Sequence, residues 1–130
     1  MLKFDVPLYL TTGVRKPKNN WLNINNYRNW HCQVSNNLKK LFCETIDVSH
    51  LPKVDGQMSI SYVFFYPDKS RRDIDNSLGC IAKFTADALI HYGVIEDDNH
   101  NIVTSITGSF GGYDPDNPRC EVTIIPQESA

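Results

Sequence analysis

A chain of 130 residues, 41% of them apolar, has the size and apolar content of a single globular domain with one core. Its formal net charge of -2 excludes a protein that binds nucleic acid through overall charge, so any basic face has to be local. Cys32, Cys43, Cys80 and Cys120 make no CxxC pair, which argues against a zinc site and for reduced thiols in a cytoplasmic compartment, each expected in the core.

Leu2, Phe4 and Val6 alternate with Lys3 and Asp5, which predicts a half-buried first strand limited by Pro7. Residues 11–26 are polar and Asn-rich and predict a long loop carrying Arg15, Lys16 and Lys18. Tyr27, Trp30, Val34, Leu38 and Leu41 recur at helical spacing and predict one helix of about four turns, capped by Asn25 or Asn26. After a connection over 46–56, Met58, Ile60, Tyr62, Phe64 and Tyr66 give the strongest strand pattern in the chain. Pro67 and Asp68 end it. Asp75 or Asn76 is placed to cap a second helix, whose face is Leu78, Ile81, Ala82, Thr85, Ala88 and Leu89 and whose left-handed C-cap is Gly93. Residues 102–110 predict a third strand, Gly111-Gly112 and Asp114-Pro115 turns, and Cys120, Val122 and Ile124 a last strand. The tail 127–130 is expected to fray. The order β-α-β-α-β-β predicts an α+β domain, a small mixed or antiparallel sheet with two main helices packed on it. Met1-Leu2-Lys3-Phe4-Asp5 is no signal peptide, and no apolar run reaches membrane-spanning length.

The run Arg71-Arg72-Asp73-Ile74-Asp75-Asn76 carries the chemistry. In extended backbone, residues two apart project to one side, so Asp73 and Asp75 are expected to aim at one point. Converging carboxylates repel unless a cation lies between them, and hard divalent cations prefer oxygen ligands and keep water positions open for a phosphate. Glu96-Asp97-Asp98 supplies a second acidic cluster one helix later, and Arg71 and Arg72 suit phosphate oxygens. A metal site for phosphoryl chemistry is expected. A loop with a helix cap is the plainer alternative for this stretch, as is solvation for Lys39 and Lys40.

Arg72 to Asn76, then a helix ending Asp87-Ala88-Leu89, then Gly93-Val94-Ile95-Glu96-Asp97-Asp98, resembles the RusA family of Holliday junction resolvases, small endonucleases often carried by phages and prophages. The resemblance covers residues 58–106 specifically and the N-terminal third weakly. It implies an α+β homodimer that cleaves branched DNA with Mg2+, Mn2+ being able to substitute. Asp73, Asp75 and Asp98 match the catalytic and metal-binding aspartates, Asp97 is a further metal ligand, and Asn76 matches the motif asparagine. One departure stands out: the family's lysine, three residues after that asparagine, is replaced by Gly79. The helix also runs about four residues longer than the family spacing, and Lys83, one turn beyond Gly79, is the substitute this implies. Its alternative role is an ion pair with Asp87. DNA contacts are expected from Lys69, Arg71, Arg72, Arg15, Lys16, Lys18 and Asn76, and a dimer contact from Val63 or Phe65. Two other readings stay open, a nuclease for other branched DNA and a catalytically impaired junction-binding member.

Overall fold

A computed structural model describes residues 1–127 as β1 (Leu2–Val6), β2 (Tyr9–Thr12), β3 (Lys18–Trp21), α1 (Ile24–Asn29), α2 (Cys32–Ile46), β4 (Met58–Tyr66), α3 (Ile74–His91), β5 (Val103–Tyr113) and β6 (Arg119–Pro126). The class is mixed α+β, with a four-stranded mixed sheet in the order β1-β6-β4-β5. β4 and β5 run parallel, joined by the α3 crossover, and the other pairings are antiparallel.

Alternation along β4 decides the layering. Met58, Ile60, Tyr62, Phe64 and Tyr66 are buried, whereas the residues between them are half-buried. Tyr66 donates its hydroxyl to Ser77 Oγ of α3 at 3.0 Å, which identifies the buried row as the helix side. The other face carries Ser59, Ser61, Val63 and Phe65, and Arg119 lies 4.2 Å over the Phe65 ring. Val63 and Phe65, named as dimer contacts from the sequence, are thus half-buried on the face away from the helices.

Phe84 joins the three helices. It meets Phe42 of α2 edge-on at 5.6 Å, Tyr27 of α1 at 5.9 Å and Trp30 at 6.3 Å. Aromatic pairs of this kind each contribute about 0.5–1.5 kcal/mol beyond simple burial. Gly79 sits where α1 crosses α3: a Cβ there would lie 2.7 Å from Ile24 Cγ1, so a larger residue would have to displace the Ile24 side chain. Gly93 ends α3 with φ +74, the left-handed cap expected of it.

Four expectations are corrected. Residues 11–26 are not a loop: β2 and β3 form a hairpin, Tyr9 opposite Trp21 and Thr12 opposite Lys18, held partly by Asn20, whose Nδ2 donates to the Leu10 carbonyl at 2.9 Å. Its few apolar residues hide the pattern among asparagines. The single helix from Tyr27 is two helices, because Trp30 is extended (φ -73, ψ 133) and His31 starts α2. Asn23, not Asn25 or Asn26, caps α1, accepting from Asn26 N at 2.8 Å. Finally, β5 runs through Gly111-Gly112 to Tyr113, because a bulge absorbs the glycines within the strand.

Cys80 and Cys120 are buried, and burial pushes both thiols up to about 12. Cys43 is half-buried, and Cys32 is exposed rather than in the core, since the first turn of α2 faces outward. No helix among the described residues is long and apolar enough to cross a membrane. Gln127 N donates to the Gln57 carbonyl at 2.8 Å, so the expected fraying does not include this residue, and 128–130 lie outside the described residues.

Candidate functional site

α3 begins at Ile74, so Asp73 is its N-cap and Asp75 lies in its first turn. This corrects the extended geometry expected for the pair: the backbone turns helical between them, and alternation no longer aims both at one point. Both carboxylates are exposed at the N-terminal end of α3. Asp73 makes no side-chain cap bond, and Asp75 Oδ1 accepts from Asn76 N at 2.9 Å. Asn76 does not cap its own helix. Its Oδ1 accepts from Ile24 N at 3.0 Å and Asn25 N at 3.3 Å, tying the start of α1 to the start of α3.

The two arginines before Asp73 have different lives. Arg72 is clamped: Nη1 donates to Asp68 Oδ1 at 2.8 Å, and the guanidinium lies 4.7 Å over Trp21 and 5.3 Å over Tyr66. The Arg72 hydrogen bond holds the Asp68 carboxyl at about 2. Arg71 is exposed and in no ion pair among the described residues. Both line a cleft of about 470 Å³ with Asp73, Asn76, Trp21 and Asn23. The β2–β3 hairpin roots beside this cleft through Trp21, and its far end carries Arg15, Lys16 and Lys18, all exposed. Trp21 and Tyr66 are site residues that the sequence did not mark. Their only signal was being aromatic beside a basic motif.

Asp97 and Asp98 belong to the other end of the β4–α3 unit. The turn containing them leads into β5, whose Val103 pairs with Met58, whereas Asp73 follows the Tyr66 end. The strand between is about 25 Å long. Burial, then the Cys120 and Asp98 charges, raise Tyr62, whereas Asp73 is among the charges acting on Tyr66, so each acid acts on a different tyrosine of the same row. Asp97 is occupied within its own turn: Oδ1 accepts from Asp98 N at 2.7 Å and Oδ2 from Asn99 Nδ2 at 3.0 Å, bonds that hold its carboxyl below the usual range. One chain therefore does not gather Asp73, Asp75 and Asp98. No group of three or more His, Cys, Asp or Glu among the described residues is arranged to hold a metal ion. The donor chemistry of Asp73, an exposed carboxylate in the cleft, and of Asp75, an exposed carboxylate in the first turn of α3, nonetheless suits a hard divalent cation. His100, near the acidic turn, is exposed.

Lys83 is half-exposed and lies 3.4 Å from Asp87 Oδ1, the ion pair noted as its alternative role. Lys39 shares that carboxylate at 3.6 Å. Nine residues into α3, Lys83 is roughly 14 Å along the axis from Ile74. Lys69 is exposed in the connection before Arg71.

No protein-family model matches the chain, and no curated protein matches it.

Proposed function

We propose that the protein is a metal-dependent endodeoxyribonuclease for branched DNA, with Holliday junctions as its substrate, acting as a homodimer in the manner of the RusA family it resembles. The observation that carries this reading is exposed Asp73 in a cleft that Arg71 and Arg72 also line, with exposed Asp75 one step further into the first turn of α3. Asp73 and Asp75 would hold Mg2+ or Mn2+, which supplies an activated water and charge neutralisation at the scissile phosphate. Arg71 and Lys69 would meet phosphate oxygens beside it, and Arg72 would keep the cleft wall rigid through its stack and its Asp68 clamp. The hairpin tip would hold a more distant stretch of backbone, so binding should weaken steeply with salt.

Asp98 joins this site only through a second copy. β5 is an open edge, and two such edges pairing antiparallel about a twofold axis would set the Val103 end of one copy beside the Tyr113 end of the other. Asp98 of one copy would then approach Asp73 of the other. The Ile24 side chain against Gly79, where the resemblance expects a lysine, favours a second reading: a junction-binding protein without cleavage.

The test is cleavage of a labelled mobile four-way junction with Mg2+, with Mn2+ and with chelator. Paired nicks that need metal and fall by two or more orders of magnitude in Asp73→Asn are expected, about 3 kcal/mol of barrier. Nicking by that variant at the wild-type rate refutes the site, and binding without cleavage establishes the second reading. Asp73→Asn and Asp98→Asn subunits, each inactive alone, should regain nicking when mixed, because one heterodimer site keeps both aspartates. Continued inactivity of the mixture would place Asp98 outside a shared site.

A further inference from the structure

The helix-side face of β5 carries two aromatic rings that the catalytic reading leaves unused. Residues three apart on a regular strand face opposite sides. Phe110 and Tyr113 nevertheless share a side, because the register shifts between Phe64 and Phe65: Phe110 pairs with Phe64, Gly112 with Phe65 and Tyr113 with Tyr66. Gly111 is the extra residue. A Cβ on it would lie 2.6 Å from Phe65 Cζ and Val63 Cγ1, so the bulge depends on glycine there.

The rings are fixed. Phe110 stacks on Tyr66 (6.2 Å, 18°), Tyr113 meets Phe110 at 5.1 Å and 64°, and Tyr66 is held by its bond to Ser77. Each outer ring is nonetheless 49% exposed. They border a hollow of about 220 Å³ shared with Lys69, Arg71, Arg72 and Ile74, the last two flanking Asp73 in the chain. Unlike Arg72, neither Lys69 nor Arg71 is in an ion pair among the described residues. Flat rings flanked by uncommitted cations match unpaired nucleotides, whose bases stack and whose phosphates need positive partners. An aliphatic protein surface would gain nothing from the cations. Edge pairing of β5 would use main-chain groups rather than these ring faces.

We propose that Phe110 and Tyr113 form a platform for an unpaired DNA base beside the α3 carboxylates, with Lys69 and Arg71 holding its flanking phosphates. The proposal rests on the DNA-cleaving reading and specifies it: the substrate is DNA that exposes an unstacked base at or near the cut.

The probe is a single strand carrying one 2-aminopurine, whose fluorescence falls on stacking, with a duplex and a four-way junction measured alongside. Wild type should quench the probe. Phe110→Ala with Tyr113→Ala should lose the quench and about tenfold or more in single-strand affinity, while duplex affinity stays. Phe110→Trp with Tyr113→Phe should keep both, which separates ring chemistry from folding. Unchanged quench and affinity in the alanine pair overturn the platform. So does a wild type that binds duplex and junction without quenching the single strand, and so does an alanine pair that only lowers the mass in solution. A wild type that binds none of the three DNAs overturns the DNA reading itself.

Discussion

The two edges of the sheet are built in opposite ways. β1 is five residues long, exposes Lys3 and Asp5, and is tied to β6 by Arg119, which lies 3.9 Å from Asp5 and also pairs with Asp114 and Glu121. β5 is eleven residues long, has no charged residue, and exposes Ile106, Phe110 and Tyr113. Short length and charge are the usual protections of an edge against further pairing. β1 has both and β5 has neither. β5 thus presents a long, uncharged open edge, and Asp73 follows β4 at the Tyr66–Tyr113 end of it.

Several substitutions would break or sharpen this contrast. The largest effect is expected from Ile106→Asp, which puts a charge on the open edge. It should halve the mass measured by light scattering and remove junction cleavage while the circular dichroism spectrum is kept, whereas Lys3→Asp on the protected edge should leave the mass unchanged. Gly111→Val should come next. It forces side-chain atoms into Val63 and Phe65 and should cost about 1–3 kcal/mol in denaturant unfolding, with loss of the 2-aminopurine quench as Tyr113 is turned away. Thr85 belongs to neither edge. Its buried hydroxyl has no partner among the described residues, so Thr85→Val should stabilise the fold by about 1 kcal/mol and leave mass and binding unchanged.

The smallest effect concerns the Arg72 clamp. Asp68 is held at about 2 against an ordinary value of 3.8. A group depressed in the folded state contributes stability that is present above its unfolded value and lost as pH falls through the folded one. Wild type should therefore show a change in tryptophan emission between about pH 4 and pH 2, reporting release of Arg72 from Trp21, and Asp68→Asn should not.

What could be read from the sequence followed from where one periodicity dominates. β4 and α3 each bury a regular row, and both stand where the pattern puts them. The hairpin escaped because its strands are four residues long and its polar positions outnumber the buried Leu10 and Asn20. The break at Trp30 escaped because Trp30 still packs on Phe84, so the apolar spacing survives a broken backbone. In the site, Asp73 and Asp75 were found by composition, but their relative direction depends on a helix starting between them. The stacking of Arg72 on Trp21 joins residues far apart in the chain, which no local pattern carries. Asn76 misled for the same reason, since its partner is another helix.

The pairing of β1 has a temporal consequence. Among the described residues its one neighbour in the sheet is β6, with Leu2 opposite Ile124. β1 therefore waits for β6 to be synthesised, roughly ten seconds of elongation later. During that wait Leu2, Phe4 and Val6 have no strand to join. Folding is expected to begin with the β4–α3–β5 crossover and to finish by pairing β1 with β6, the step with the largest loop to close.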